Sequence, residues 1–151
     1  MKKISKNLLL SSILIISSNL AFAQPKNVVL PKIFTSEKVM MKDRICGELL
    51  VAFSIVGAKN NNKEKQKFAE ELATDAVILL ELSSGLTKNE KLQAKKISRQ
   101  IENLSESEHI GVTNMCAERV NYLYSSNVIS DVKYEEAENM AKMMLKKVLK
   151  K

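Results

Sequence analysis

Residues 73–82 read Ala73-Thr74-Asp75-Ala76-Val77-Ile78-Leu79-Leu80-Glu81-Leu82, a stretch that is apolar on nearly every side of a helix and carries two carboxylates, Glu81 near its end and Asp75 among its apolar residues. A helix of that kind belongs at the centre of a bundle, where neighbours cover all of its faces. The polar run Lys59-Asn60-Asn61-Asn62-Lys63 precedes it and Ser83-Ser84-Gly85 closes it, so the element spans about 63–82.

Outward from this core, apolar residues recur at intervals of three and four, which argues for helices and against strands. An earlier helix spans about 36–56, with Val39, Cys46, Leu49, Leu50, Phe53 and Val56 on one side and Gly57 as a stop. Thr87-Lys88-Asn89-Glu90 has capping-box spacing and opens a third helix. Its narrow apolar stripe is Leu92, Ile97, Ile101 and Leu104, with Lys88, Lys91, Lys95, Lys96 and Arg99 mostly off it. Ser105-Glu106-Ser107-Glu108 repeats the spacing and starts a fourth, whose periodic positions are Ile110, Thr113, Cys116, Ala117, Val120, Leu123 and Tyr124. A fifth begins near Asp131, the expected cap, and places Glu135, Glu136 and Glu138 early and Lys142, Lys146, Lys147, Lys150 and Lys151 late, the order the helix dipole favours. The expected fold is all-α, a single-domain bundle of four or five helices with short antiparallel connections.

The first 23 residues read as a cleavable export signal: Lys2, Lys3 and Lys6, an apolar run from Leu8 to Ile16, then Ala21-Phe22-Ala23. A membrane span needs about 20 consecutive apolar residues, and this one is interrupted by Ser11, Ser12, Ser17, Ser18 and Asn19. The expected organisation is therefore a signal peptide over 1–23, an extended lead-in over 24–35 containing Pro25 and Pro31, and the bundle over 36–151, in the periplasm or outside the cell. No cysteine follows the cleavage motif, which argues against a lipid anchor there.

An exported chain with two cysteines, Cys46 and Cys116, most simply carries one bridge between the first and fourth helices. The alternatives are two buried thiols or a redox pair, although a redox site would more naturally show Cys-x-x-Cys spacing.

Loss of three lysines and no acids with the signal lowers the formal charge from +7 to +4, mildly basic and not a nucleic-acid-binding balance. With no Trp and only Tyr122, Tyr124 and Tyr134, aromatic platforms for stacking on sugars or bases are few. Four glycines leave little material for a phosphate-cradling loop, and the nucleotide, nucleophile-elbow and zinc-protease motifs are missing. No catalytic, cofactor or metal residues are assigned, and the chain is not expected to be an enzyme.

Three features admit a functional reading beside a structural one. His109, the only histidine, sits at a helix start and is expected at the surface, since a metal site there lacks paired His or Cys spacing. Asp75 is costly to bury unless paired or hydrogen-bonded, so it is expected to meet a cation such as Arg44 or Arg119, or else to contact a partner; Glu71 lies one turn earlier, where it could share the face. The basic end from Lys142 to Lys151, interleaved with Met143, Met144, Leu145, Val148 and Leu149, suits a terminal bundle helix with a solvated basic face, or else a helix that lies on anionic membrane or grips an acidic protein.

Met41-Lys42-Asp43-Arg44-Ile45-Cys46, and Met115-Cys116 followed by Tyr122-Leu123-Tyr124-Ser125-Ser126, resemble segments of the periplasmic, all-helical, two-cysteine immunity proteins that neutralise peptidoglycan amidases delivered by type VI secretion. The resemblance covers under a quarter of the chain after the signal. It implies a non-enzymatic protein whose partner is a secreted peptidoglycan hydrolase, and maps no contact residue; the expected surface for occluding such a cleft is the loop Lys59 to Lys63 or the segment Ser125 to Ser130. The alternative is an envelope stress factor that holds clients or touches membrane through its basic last helix.

Overall fold

The computed structural model describes residues 31–150, and the expected signal peptide and most of the lead-in fall outside them. Among the described residues the chain is all-helical: α1 (Lys32–Thr35), α2 (Val39–Ala58), α3 (Lys63–Leu82), α4 (Lys88–Glu102), α5 (Glu106–Ser125) and α6 (Asp131–Leu149). No helix there is long and apolar enough to cross a membrane.

The centre of the bundle is the α2–α3 pair. Every residue from Ala73 to Leu79 is buried, as the all-round apolar stretch requires. A Cβ on Gly47 would lie 2.8 Å from Leu80 Cγ and 3.3 Å from the Ala76 carbonyl, and one on Gly57 would lie 3.0 Å from Ala69 Cβ. Contacts that move forward along α2 and backward along α3 make the two antiparallel, and the missing side chains let their backbones close up.

α2 is also covered on several sides, which a one-sided reading of its periodicity missed. Met41, Asp43, Ile45, Cys46, Gly47, Leu49 and Leu50 are all buried, whereas Val39 and Val56, expected inward, are exposed, Val56 by 72%. The lead-in differs from expectation as well: α1 occupies its end, with Pro31 at the N-cap, and drives Phe34 into the main core, 1% exposed.

α5 lies antiparallel to α2 along a ladder of three contacts. Cys46 and Cys116 form the disulfide, with their Cα atoms 5.4 Å apart. One turn away the Arg119 guanidinium donates to both carboxylate oxygens of Asp43, at 2.7 and 2.9 Å. At the other end the Phe53 and His109 rings lie 5.2 Å apart. Asp43 is buried and Arg119 is partly exposed, so Arg119→Met leaves a carboxylate uncompensated in the interior. The expected loss is about 2 kcal/mol of unfolding free energy by urea titration, below the range for fully buried pairs because water reaches the arginine.

α6 runs antiparallel to α3 and buries Ala137, Ala141 and Leu145 against Ala69, Ala73, Val77 and Ile78, a second, alanine-rich core. The small side chains permit close approach, and the basic residues of the last turns remain outside. Buried hydroxyls are satisfied within their own helices: Ser54 donates to the Val51 carbonyl, Thr74 to Glu70 and Ser98 to Lys95.

Caps explain the boundaries. The Thr87 capping box forms as expected, with the Thr87 N–H donating to Glu90 at 2.8 Å and the Glu90 N–H to the Thr87 hydroxyl at 3.3 Å. The second expected box does not: Ser105 donates to the Glu108 carboxylate at 2.6 Å and leaves the backbone N–H groups of α5 uncapped by its side chain. Ser130, one residue before the expected Asp131, caps α6 by accepting from the Lys133 N–H. Asn127 takes a left-handed backbone, φ 52°, after α5, and the Val128 N–H returns to the Leu123 carbonyl, the double turn-back that ends many helices.

Candidate functional site: a basic groove and a sealed carboxyl

Several places hold the side chains that chemistry or binding would use. The first is Asp75 in the middle of α3, 3% exposed. Neither expected cation reaches it: Arg119 is bound to Asp43, and Arg44 to Glu48 on its own helix. Its partner is instead the Tyr124 hydroxyl, which donates to Oδ1 at 2.9 Å, and the Tyr124 ring meets the Tyr134 ring with centroids 5.8 Å apart. Burial pushes the Asp75 carboxyl up to about 7; the Tyr124 hydrogen bond opposes that shift and the Glu71 charge adds to it. Burial and the nearby Asp75 charge push Tyr124 well above the usual phenol range and Tyr134 up to about 12. A carboxyl titrating near neutrality is the kind of group that general bases are made from. Asp75, however, lines neither of the two open grooves described below. It acts as a buried hydrogen-bond acceptor joining α3 to α5.

His109, expected at the surface, is half-buried against Phe53, and its Nε2 is buried with no hydrogen-bond partner among the described residues. Groups of three or more side chains able to hold a metal are not found among the described residues.

The two loops expected to reach a partner sit at opposite ends of the molecule. Lys59 to Lys63 joins α2 to α3. Ser125 to Ser130 follows α5, whose antiparallel course returns it to the start of α2. The length of α2 separates them, about 30 Å for its 20 residues. They are two separate ends, not one surface.

The remaining feature is a groove of about 440 Å³ between the first halves of α2 and α4, lined by Arg44, Glu48, Lys88, Lys91, Leu92 and Lys95. Lys88, Lys91 and Lys95 follow at intervals of three and four and so share one face of α4. Leu92, 50% exposed, lies among them. Arg44 donates to Glu48 through Nε at 3.0 Å and Nη2 at 2.8 Å, and Lys91 donates to the Ser84 carbonyl at 2.8 Å. Four cations thus face one carboxylate around an apolar side chain. The α4 lysines were legible as residues off the apolar stripe; that Arg44 joins them depends on how α4 crosses α2, for which the local pattern carries no signal. A second groove, of about 380 Å³, lies between α2, α3 and α6, with Ala58, Leu145 and Leu149 beside Glu70, Lys142 and Lys146.

The fold and this site define a disulfide-stapled helical bundle with a shallow, charged groove. Comparison with protein-family models, with curated proteins and with solved structures finds no match to the chain.

Proposed function

We propose that this is an exported, non-enzymatic protein that binds another protein and inhibits it, the partner being a cell-wall hydrolase. The observation that carries the binding part is the α2–α4 groove, where an exposed Leu92 is ringed by charged side chains on two helices of a bundle stapled at Cys46–Cys116. An apolar anchor inside a charged rim is the anatomy of a protein-docking surface. A stapled scaffold loses little freedom on association, which favours tight binding without catalytic machinery.

The hydrolase partner rests on the resemblance to amidase immunity proteins. The two stretches that carry it, Met41 to Cys46 and Met115 to Ser126, are those joined here by the disulfide and by Asp43–Arg119. Most of their buried residues belong to the scaffold and support the kind of protein, while Arg44, in the first stretch, also lines the groove.

The test is capture by the oxidised protein, without residues 1–23, from periplasmic and secreted fractions, followed by mass spectrometry. One stoichiometric partner with peptidoglycan hydrolase activity is the expected outcome. A spread of weak clients, or lipid alone, contradicts it and favours an envelope factor.

A further inference from the structure

We propose that the groove between α2 and α4 takes a carboxylate-rich segment of the partner protein, whose acidic side chains are held by Arg44, Lys88, Lys91 and Lys95 around an apolar residue seated on Leu92. This deepens the protein-binding reading above and rests on it.

Charge is the first argument. The lining carries four cations against Glu48 alone, and Glu48 already accepts from Arg44. Among the described residues Lys88 and Lys95 make no ion pair, and Lys91 meets only the neutral Ser84 carbonyl. Unneutralised cations gathered on one shallow strip raise the local potential more than the same charges dispersed over the surface. The second groove offers a contrast: its Glu70 stands among Lys142 and Lys146, and Lys142 is already bound to Glu138 at 2.6 Å. The α2–α4 groove is therefore the one with charge left over for a ligand.

Shape and apolar surface choose among anionic occupants. A basic helix that lies on a membrane needs an apolar face turned toward the lipid. α4 has spent its apolar face on the bundle, since Ala94, Ile97 and Ile101 are buried and only Leu92 opens into the groove. One apolar contact flanked by lysines at intervals of three and four suits a peptide with carboxylates on either side of a single apolar residue. Each exposed ion pair adds little alone, and the binding comes from several acting together.

The probe is a short labelled peptide of alternating glutamate and leucine, titrated by fluorescence anisotropy into the oxidised protein. Binding is expected to weaken steeply with added salt. It is also expected to fall about tenfold or more in Lys88→Glu/Lys91→Glu/Lys95→Glu, three small charge contributions together making that factor. Lys88→Gln/Lys91→Gln/Lys95→Gln serves as the milder variant if charge reversal perturbs α4, with circular dichroism reporting on folding. Lys133→Glu/Lys147→Glu/Lys150→Glu, on α6 and its C-cap, changes charge equally and is expected to bind as the parent does. Equal binding by the groove variants, equal binding of a glutamine-for-glutamate peptide, or binding only to phosphatidylglycerol vesicles would overturn the assignment. The two readings fail separately. A captured hydrolase inhibited equally well by the charge-reversed protein refutes the groove and spares the inhibitor reading. Charge-dependent peptide binding with no hydrolase captured does the reverse.

Discussion

Unfolding of the Cys46→Ala/Cys116→Ala variant is expected at a urea concentration about 2 M below that of the oxidised protein. The bridge closes a separation of 70 residues, and the chain-entropy relation gives about 4 kcal/mol for such a loop. With a urea slope of about 2 kcal/mol per molar, that loss becomes the stated shift in midpoint. Both sulfur positions are buried in the main core, so the truncation also removes packing there. The effect should concentrate in α5, whose ladder to α2 retains only Asp43–Arg119 and Phe53–His109 once the bridge is gone. Hydrogen exchange should therefore quicken first in 106–125. An unchanged midpoint would mean that packing alone holds α5 in place.

Asp75→Asn is expected to change sign with pH. The carboxyl has an ordinary value of 3.8 and is pushed up to about 7 in the folded protein, so below about pH 4 both states hold the proton and the site costs nothing. Between about pH 4 and pH 7 the unfolded chain releases the proton and the native one keeps it, so stability falls as pH rises. Above 7 the whole penalty, at most about 4 kcal/mol, is in place. Asparagine carries no charge and keeps an acceptor for the Tyr124 hydroxyl, at a cost of about 1–2 kcal/mol for the amide donors it buries. The variant should thus be more stable than the parent by about 2 kcal/mol at pH 8, and less stable by about 1 kcal/mol at pH 4. The other titratable groups around the site are Glu71 on α3, Tyr124 on α5, and Tyr134 and Glu138 on α6. They are common to both proteins and largely cancel in the difference. A difference between parent and variant that is flat from pH 4 to 8 would show that Asp75 titrates as it does in the unfolded chain.

The disulfide and Asp75 also show where the sequence is legible and where it is not. Cys46 and Cys116 both fall on inward positions of their helices, and residues 73–82 announce a central helix, because burial leaves a local, periodic trace. Thr87 and Glu90 announce a helix start for the same reason: the capping chemistry is confined to four residues. The partner of Asp75 left no such trace. Arg44, Arg119 and Tyr124 lie on elements compatible with reaching it, and only tertiary packing sends Arg119 to Asp43, 76 residues away, and Tyr124 to Asp75, 49 away. Val39 and Val56 were misplaced because α2 is buried on several sides, where a single stripe is a poor guide. Phe34 was missed because two prolines suggested an extended run, although Pro31 serves well at the start of the short helix that plants it in the core. The groove was half visible, as lysines off the stripe of α4; its other wall comes from α2.

The measurement that bears most directly on the proposed activity is a titration of the captured hydrolase, assayed by release of soluble fragments from labelled peptidoglycan, with the oxidised protein. Inhibition is expected to be complete at one inhibitor per enzyme and to weaken when Lys88, Lys91 and Lys95 carry the opposite charge. Hydrolysis that continues undiminished in the presence of excess protein would contradict the account.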